Sequence, residues 1–239
     1  MTLLAVDRLV ARHGLLPAVR GVSLSIEDGQ VLAVVGANGA GKSTMLRTIA
    51  GAHPAAEGTV AFDGQDITGL PAHRRVARGL ALVPEGRRLF GGLTVAENLR
   101  VAGGRARPGP WRLSTVLAAF PMLEPLLGQR ASTLSGGQQQ ATAIARALMT
   151  NPRLLLVDEV SLGLSPMAVE MVYESLRGLV ANGTTLILVE QDLARALSIA
   201  GEVVCLLEGR VVLRSSTSEV TREQVTEAYF GLSRAGGDR

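Results

Sequence analysis

The chain has 239 residues, of which 47% are hydrophobic, 19% charged and 3% aromatic, and its formal net charge is +3. That length can bury a substantial core, as one large domain or as two lobes. The small net charge and few rings speak against a nucleic-acid binder, no stretch approaches the ~18 apolar residues of a membrane span, and no basic-then-apolar leader opens the chain. The expected location is therefore cytoplasmic, with contact to a membrane protein left open. Cys205 is the one cysteine, which excludes a disulfide framework or a cysteine metal site, and its apolar neighbours predict a buried strand residue.

In chain order, residues 3–10 and 22–26 predict strands, the second from the alternation of Ser23 and Ser25 with Val22, Leu24 and Ile26. A Glu27-Asp28-Gly29 turn then feeds the apolar run Val31–Val35, which reads as a buried strand. Next comes Gly36-Ala37-Asn38-Gly39-Ala40-Gly41-Lys42-Ser43, which fits the phosphate-loop pattern G-x-x-x-x-G-K-[ST], and after it a helical segment to Ala50. A further strand is expected over Thr59–Phe62, closed by an Asp63-Gly64 turn.

From about residue 92 to 150 the pattern is helical. Val95–Val101 is followed by a Gly/Pro-rich break around Gly103–Pro110, a segment near Arg112–Phe120, and a long helix from Gly136 to Met149 capped by Ser135 and stopped before Pro152. Buried strands return at Leu154–Val157, Thr185–Val189 and Val203–Leu207, separated by helices near 168–180 and 192–200. The whole predicts an α/β core with a helical insertion. Arg74-Arg75 and Arg87-Arg88 are expected on solvated faces or at a protein contact.

Three segments carry chemistry. Lys42 is the sole lysine among 24 basic residues, the other 23 being arginine. A compact ammonium can thread between nucleotide phosphates from inside a tight loop, where a planar guanidinium cannot. The loop glycines let backbone N–H groups turn inward around an anion, the helix N-terminus adds donors, and Ser43 offers a hydroxyl to Mg²⁺. The alternative is an ordinary glycine-rich turn. The second segment is Asp158-Glu159, closing an apolar strand: in a phosphate-loop protein such a pair supplies a metal-directed aspartate and a glutamate that polarises water, whereas alone it is a polar turn. The third, Leu134-Ser135-Gly136-Gly137-Gln138, reads equally as a helix cap or as an anion-binding helix start.

The order of these three segments resembles the nucleotide-binding subunit of ABC transporters along nearly the whole chain. Val83-Pro84-Glu85-Gly86-Arg87-Arg88, Leu148-Met149-Thr150-Asn151-Pro152-Arg153, Ser161-Leu162-Gly163-Leu164-Ser165-Pro166 and Val189-Glu190-Gln191 further resemble the branch that energises import of branched-chain amino acids; relatives importing urea or short amides are similar. The resemblance implies a P-loop NTPase core of ABC type, with an antiparallel β subdomain and a helical subdomain. Residues 1–239 then form a single ATPase domain. Its nucleotide-binding core with the β subdomain spans 1–85 and 152–215, its helical subdomain with the signature motif spans 86–151, and a C-terminal helix and tail span 216–239.

Carried over residue by residue, the resemblance assigns ATP binding to Gly36, Asn38, Gly39, Ala40, Gly41, Lys42, Ser43 and Thr44, with His13 stacking on adenine. Ser135, Gly136, Gly137 and Gln138 would bind the γ-phosphate held by a second ATPase subunit, identical or homologous. Ser43, Glu85 and Asp158 would serve Mg²⁺; Glu159 and Gln191 would be catalytic. Glu85 and Gln191 stand where most of the family has glutamine and histidine, and Val160 where it has proline. The implied partners are transmembrane permease subunits, docked near Arg87–Leu99 with Leu89 and Phe90 as contacts, and, indirectly, an extracytoplasmic substrate-binding protein. No nucleic acid is expected. The implied location is peripheral, on the cytoplasmic face of the membrane. The competing class is a soluble regulatory ATPase of the same fold; a kinase or GTP-hydrolysing switch would share the glycine loop but not Leu134–Gln138.

Overall fold

A computed structural model describes residues 1–104 and 106–231. Arg105, inside the Gly/Pro-rich break, and 232–239, the end of the expected tail, lie outside the described residues. The two opening strands are longer than the sequence pattern suggests: β1 (Thr2–His13) and β2 (Leu16–Glu27) form one antiparallel hairpin that places His13 beside its tip. β3 (Val31–Val35) leads through the glycine loop into α1 (Lys42–Ile49). β4 (Glu57–Phe62) and the two-residue β5 (Gln65–Asp66) flank a turn in which Asp63 and Gly64 take φ of 52° and 72°. Those left-handed angles suit the twist of a two-residue hairpin. Then come α2 (Ala72–Arg78) and β6 (Leu80–Val83), neither evident from sequence.

The helical stretch comprises α3 (Val95–Gly103), α4 (Leu113–Ala119), two short 3₁₀ turns and α5 (Gly136–Leu148). After it alternate β7 (Leu154–Asp158), α6 (Pro166–Ala181), β8 (Thr185–Val189), α7 (Leu193–Ile199) and β9 (Glu202–Leu207), followed by β10 (Arg210–Ser216) and α8 (Arg222–Phe230). No helix among the described residues is long and apolar enough to cross a membrane.

The strands form two sheets, a four-stranded antiparallel one in the order β2-β1-β4-β5 and a six-stranded one in the order β10-β9-β3-β8-β7-β6. In the second, all neighbours run parallel except β10 and β9. Its parallel strands β3 and β6 are wholly apolar, and β7 and β8 are apolar but for Asp158 and Thr185, because both faces are covered. Val31, Ala33 and Val35 of β3 pack with α5 and α6, while Leu32 and Val34 pack with β1, β2 and α1. The same two-residue alternation divides Leu155 and Val157 from Leu154 and Leu156 on β7. Cys205 lies buried on β9, its thiol pushed up to about 11 by burial, as expected of a strand residue. Because β3, β6, β7 and β8 run the same way, their carboxyl ends share one rim, the usual place for a ligand in such a sheet.

Arg75 corrects the expectation of a solvated arginine pair. Arg74 is exposed, but Arg75 is 2% exposed. Its guanidinium donates from Nε to Leu70 O at 2.8 Å, from Nη1 to Thr48 O at 2.9 Å and Ile49 O at 2.7 Å, and from Nη2 to Thr68 O at 2.7 Å. The cation thus closes the C-terminal end of α1, pairing Ile49 O and adding to the bond that Thr48 O accepts from Gly51 N at 3.1 Å. Replacing Arg75 by Met strands several buried acceptors, at a cost of about 1–3 kcal/mol each where water cannot reach them. The expected result is a thermal midpoint lower by several degrees in a melting scan; an unchanged midpoint would refute this strut.

Candidate functional site

The glycine loop rises from β3 onto that rim. Gly36 has φ 149° and Gly41 φ 98°. A Cβ on Gly36 would lie 2.3 Å from Leu206 O and one on Gly41 2.2 Å from Ala18 O, so the backbone itself requires glycine at both places. Asn38 and Gly39 are exposed at the crest, and Ala40 is buried beneath. Lys42 opens α1 with a side chain 4% exposed; its Nζ donates to Gly36 O at 2.7 Å and Ala37 O at 3.0 Å. Burial lowers the pKa of this ammonium, while Glu159 and Asp158 act to raise it. A desolvated cation held by neutral carbonyls is primed for an anion.

Ser43 Oγ donates to Asp158 Oδ1 at 2.8 Å, joining α1 to the end of β7. Asp158 is 1% exposed, and its Oδ2 has no hydrogen-bond partner. Burial pushes this carboxyl up, against the Ser43 hydrogen bond and the nearby Arg47 charge. A hydroxyl and a carboxylate with an unmatched buried oxygen are a hard, all-oxygen donor set, the kind that suits a divalent cation such as magnesium. Glu85 does not share this contact. It follows β6, and its Oε2 lies 3.6 Å from Nη2 of Arg47 on α1, in a half-exposed ion pair.

Glu159 sits just beyond β7 with φ 51°, a left-handed conformation, and its N–H donates to Val189 O at 3.1 Å. Its Oε1 accepts from Gln191 Nε2 at 2.9 Å, so the two residues assigned to catalysis are in direct contact. Val160 is fully buried in the core, which anchors the turn where the family usually has proline. His13 Nε2 lies 3.1 Å from Thr44 Oγ1, placing an exposed ring above the start of α1. Its edge meets His53, with ring centroids 4.8 Å apart. The sequence gives no signal for His53, since nothing local marks a histidine 40 positions from its neighbour.

The serine-glycine segment is built elsewhere. Ser135 caps α5: its N–H donates to Gln138 Oε1 at 2.9 Å, and its Oγ accepts from Gln138 N at 3.4 Å. Gly136 and Gly137 lie against Leu164 and Ala168. Among the described residues no hydrogen bond links Ser135–Gln138 to Lys42, Ser43 or Asp158.

Arginines tie the loop after Glu85 to α5. Arg87 Nη1 donates to Gln139 Oε1 at 3.1 Å and its Nη2 to Leu162 O at 3.4 Å. Arg146 donates to Arg88 O at 2.8 Å and Arg87 O at 3.1 Å, and lies 5.6 Å from the centre of the Phe90 ring. Leu89 packs against the core, whereas Phe90 is 52% exposed. The expectation of two exposed apolar side chains is thus corrected to one. Sequence reasoning also passed over Arg47, Arg146 and Glu190; only the apolar run ending at Glu190 gave a signal.

A family model described as ABC transporter matches residues 19–161. The chain is similar to the high-affinity branched-chain amino acid transport ATP-binding protein BraG of Pseudomonas aeruginosa, at 40% identity over 96% of this chain and 100% of the relative. It is also similar to BraF of the same organism, likewise a high-affinity branched-chain amino acid transport ATP-binding protein, at 34% identity over 96% and 98%. Among solved structures, a dimeric post-hydrolysis state of the ATP-binding cassette MJ0796 bound to ADP and Pi superposes with a TM-score of 0.79, at 25% identity over 90% of this chain and 98% of that one.

Proposed function

Because this chain belongs to the ABC transporter family as an ATP-hydrolysing, ATP-binding subunit, we propose that it powers an importer of branched-chain amino acids. The observation that carries the substrate reading is the similarity to BraG over 96% of this chain and 100% of that relative. The order of elements, strands up to β6, helices from α3 to α5 and strands again from β7, supports the division into a nucleotide-binding core over 1–85 and 152–215, a helical subdomain over 86–151 and a C-terminal region from 216.

Lys42 leaves the Gly36 and Ala37 carbonyls to reach between the β- and γ-phosphates of ATP, while the N–H groups of residues 36–44 surround them and His13 stacks on the adenine. Ser43 and Asp158 would hold Mg²⁺, with Glu85 as a third candidate ligand. When bound, the ion would supply positive charge to offset that of the phosphates. Glu159 accepts a proton from the attacking water, and Gln191 fixes the direction of the carboxylate. Ser135, Gly136, Gly137 and Gln138 complete the site of a second ATPase subunit, a reading that the dimeric neighbour supports. The coexistence of BraG and BraF in one organism supports a homologous rather than identical partner. Closure on ATP and reopening after hydrolysis drive permease subunits at the cytoplasmic face of the membrane, with the exposed Phe90 and Val101 as docking contacts and an extracytoplasmic binding protein delivering the substrate.

The test is reconstitution in vesicles with permease and substrate-binding subunits that associate with this chain. ATP-dependent uptake of leucine, isoleucine or valine is expected. Uptake of urea or a short amide instead would overturn the substrate, and failure to associate with any permease would favour a soluble regulatory ATPase.

A further inference from the structure

Glu190 directly follows β8 and is 1% exposed. Its Oε1 accepts from Ser161 N at 3.1 Å, and its Oε2 accepts from Ser161 Oγ at 2.9 Å and from Gln191 N at 3.1 Å. A buried carboxylate is costly unless several donors meet it, and here three do. None of them belongs to a cation. An apolar residue would fill the space without that cost, so the carboxylate is explained by what it joins.

Two chains of contact meet there. Ser161 lies two residues beyond Glu159, and Gln191 returns to Glu159 through the 2.9 Å hydrogen bond, closing a ring Glu159-Val160-Ser161-Glu190-Gln191. The turn that starts at Ser161 runs on to Leu162, whose carbonyl accepts from Arg87, and to Leu164, which packs on Gly136 at the start of α5. The Tyr173 hydroxyl, buried on α6, is pushed well above its ordinary pKa by burial and then by the Glu190 charge.

We propose that Glu190 is a positioning residue for ATP hydrolysis: its carboxylate ties the Ser161–Leu164 turn to the Glu159–Gln191 pair, so that a shift of the turn is passed to the group that polarises water. The inference rests on the water-polarising role of Glu159. Displacing a catalytic group by about 1 Å can cost on the order of 10²-fold in rate, so a tie of this kind has kinetic leverage.

The experiment measures steady-state ATP hydrolysis by the complex of the full chain with its partner ATPase subunit and permease for Glu190→Gln, Ser161→Ala, Gln191→Ala and the Ser161→Ala/Gln191→Ala double variant. In Glu190→Gln an amide donor faces donors already in place, and kcat should fall about 10²-fold with KM for ATP changed by less than about threefold. Ser161→Ala removes one of the three bonds and should lower kcat by roughly tenfold. In the Gln191→Ala background it should add less than about threefold, because both act through one contact. Multiplicative losses, wild-type kcat in Ser161→Ala, or a lower melting midpoint with unchanged kcat would overturn the tie. If Glu190→Gln fails to fold, the Ser161/Gln191 cycle decides. Should Glu159→Gln itself hydrolyse ATP normally, the water-polarising reading fails; should it be inactive while the cycle is multiplicative, only the tie fails.

Discussion

Replacing Glu159 with Gln is expected to lower ATP turnover by about 10²–10⁴-fold, the usual range for losing a general base. The substitution preserves length and shape and keeps an oxygen able to accept from Gln191 Nε2, the contact that now measures 2.9 Å. What it removes is the capacity to take a proton from water. ATP should still bind, since the phosphate loop is untouched, and the subunit pair should accumulate in its closed form. Single-turnover hydrolysis and ATP titration separate these two effects. Undiminished hydrolysis would exclude Glu159 as the base. The charge has a second influence: of the carboxylates near the Lys42 ammonium, Glu159 most strongly opposes the lowering of its pKa by burial. Its loss therefore shifts the Lys42 pKa down, which high pH would reveal as earlier weakening of ATP binding.

Lys42→Arg should weaken ATP binding by about 10–100-fold, the equivalent of one charge-assisted hydrogen bond or roughly 1.5–3 kcal/mol, and carry hydrolysis down with it. Net charge is conserved in this variant, so geometry alone is tested. Lys42 is 4% exposed, and its ammonium fits beneath the loop, donating to Gly36 O and Ala37 O. A guanidinium is wider, planar and fixed in the direction of its donors. The loop cannot widen to receive it, because Gly36 and Gly41 are already pressed against Leu206 O and Ala18 O. Calorimetric titration with ATP measures the loss; wild-type affinity would show that a point charge is not needed there.

The parts of the site legible in the sequence are those made within a few residues. The glycine loop lies between an apolar strand and a helix start, so its order alone gave its conformation. Ser135 and Gln138 are three residues apart, and the cap was readable for the same reason. Contacts between distant segments were not. Ser43 and Asp158 are separated by 115 positions, and no local pattern joins them: it took the phosphate-loop context to pair them. Arg75 reads as half of a charged pair, because its carbonyl acceptors lie on a helix end 26 and 27 positions earlier. Glu190 was visible at the end of an apolar run, yet its role depends on Ser161, 29 positions away. Short strands and helices such as β6 and α2 escaped because few residues carry a period.

The alternation of β7 between two cores has a consequence for how such a chain can change in length. Asp158 stands opposite Val189 in the ladder, one step past Val157 and Leu188. Deleting a single residue from Leu154–Val157 would turn every later side chain of the strand to the other face. The metal-directed oxygen would then point away from Ser43, and Leu and Val would exchange neighbours throughout. The rim thus admits substitution but not insertion or deletion, whereas the exposed Gly14-Leu15 hairpin tip, with no such partners, is free to lengthen.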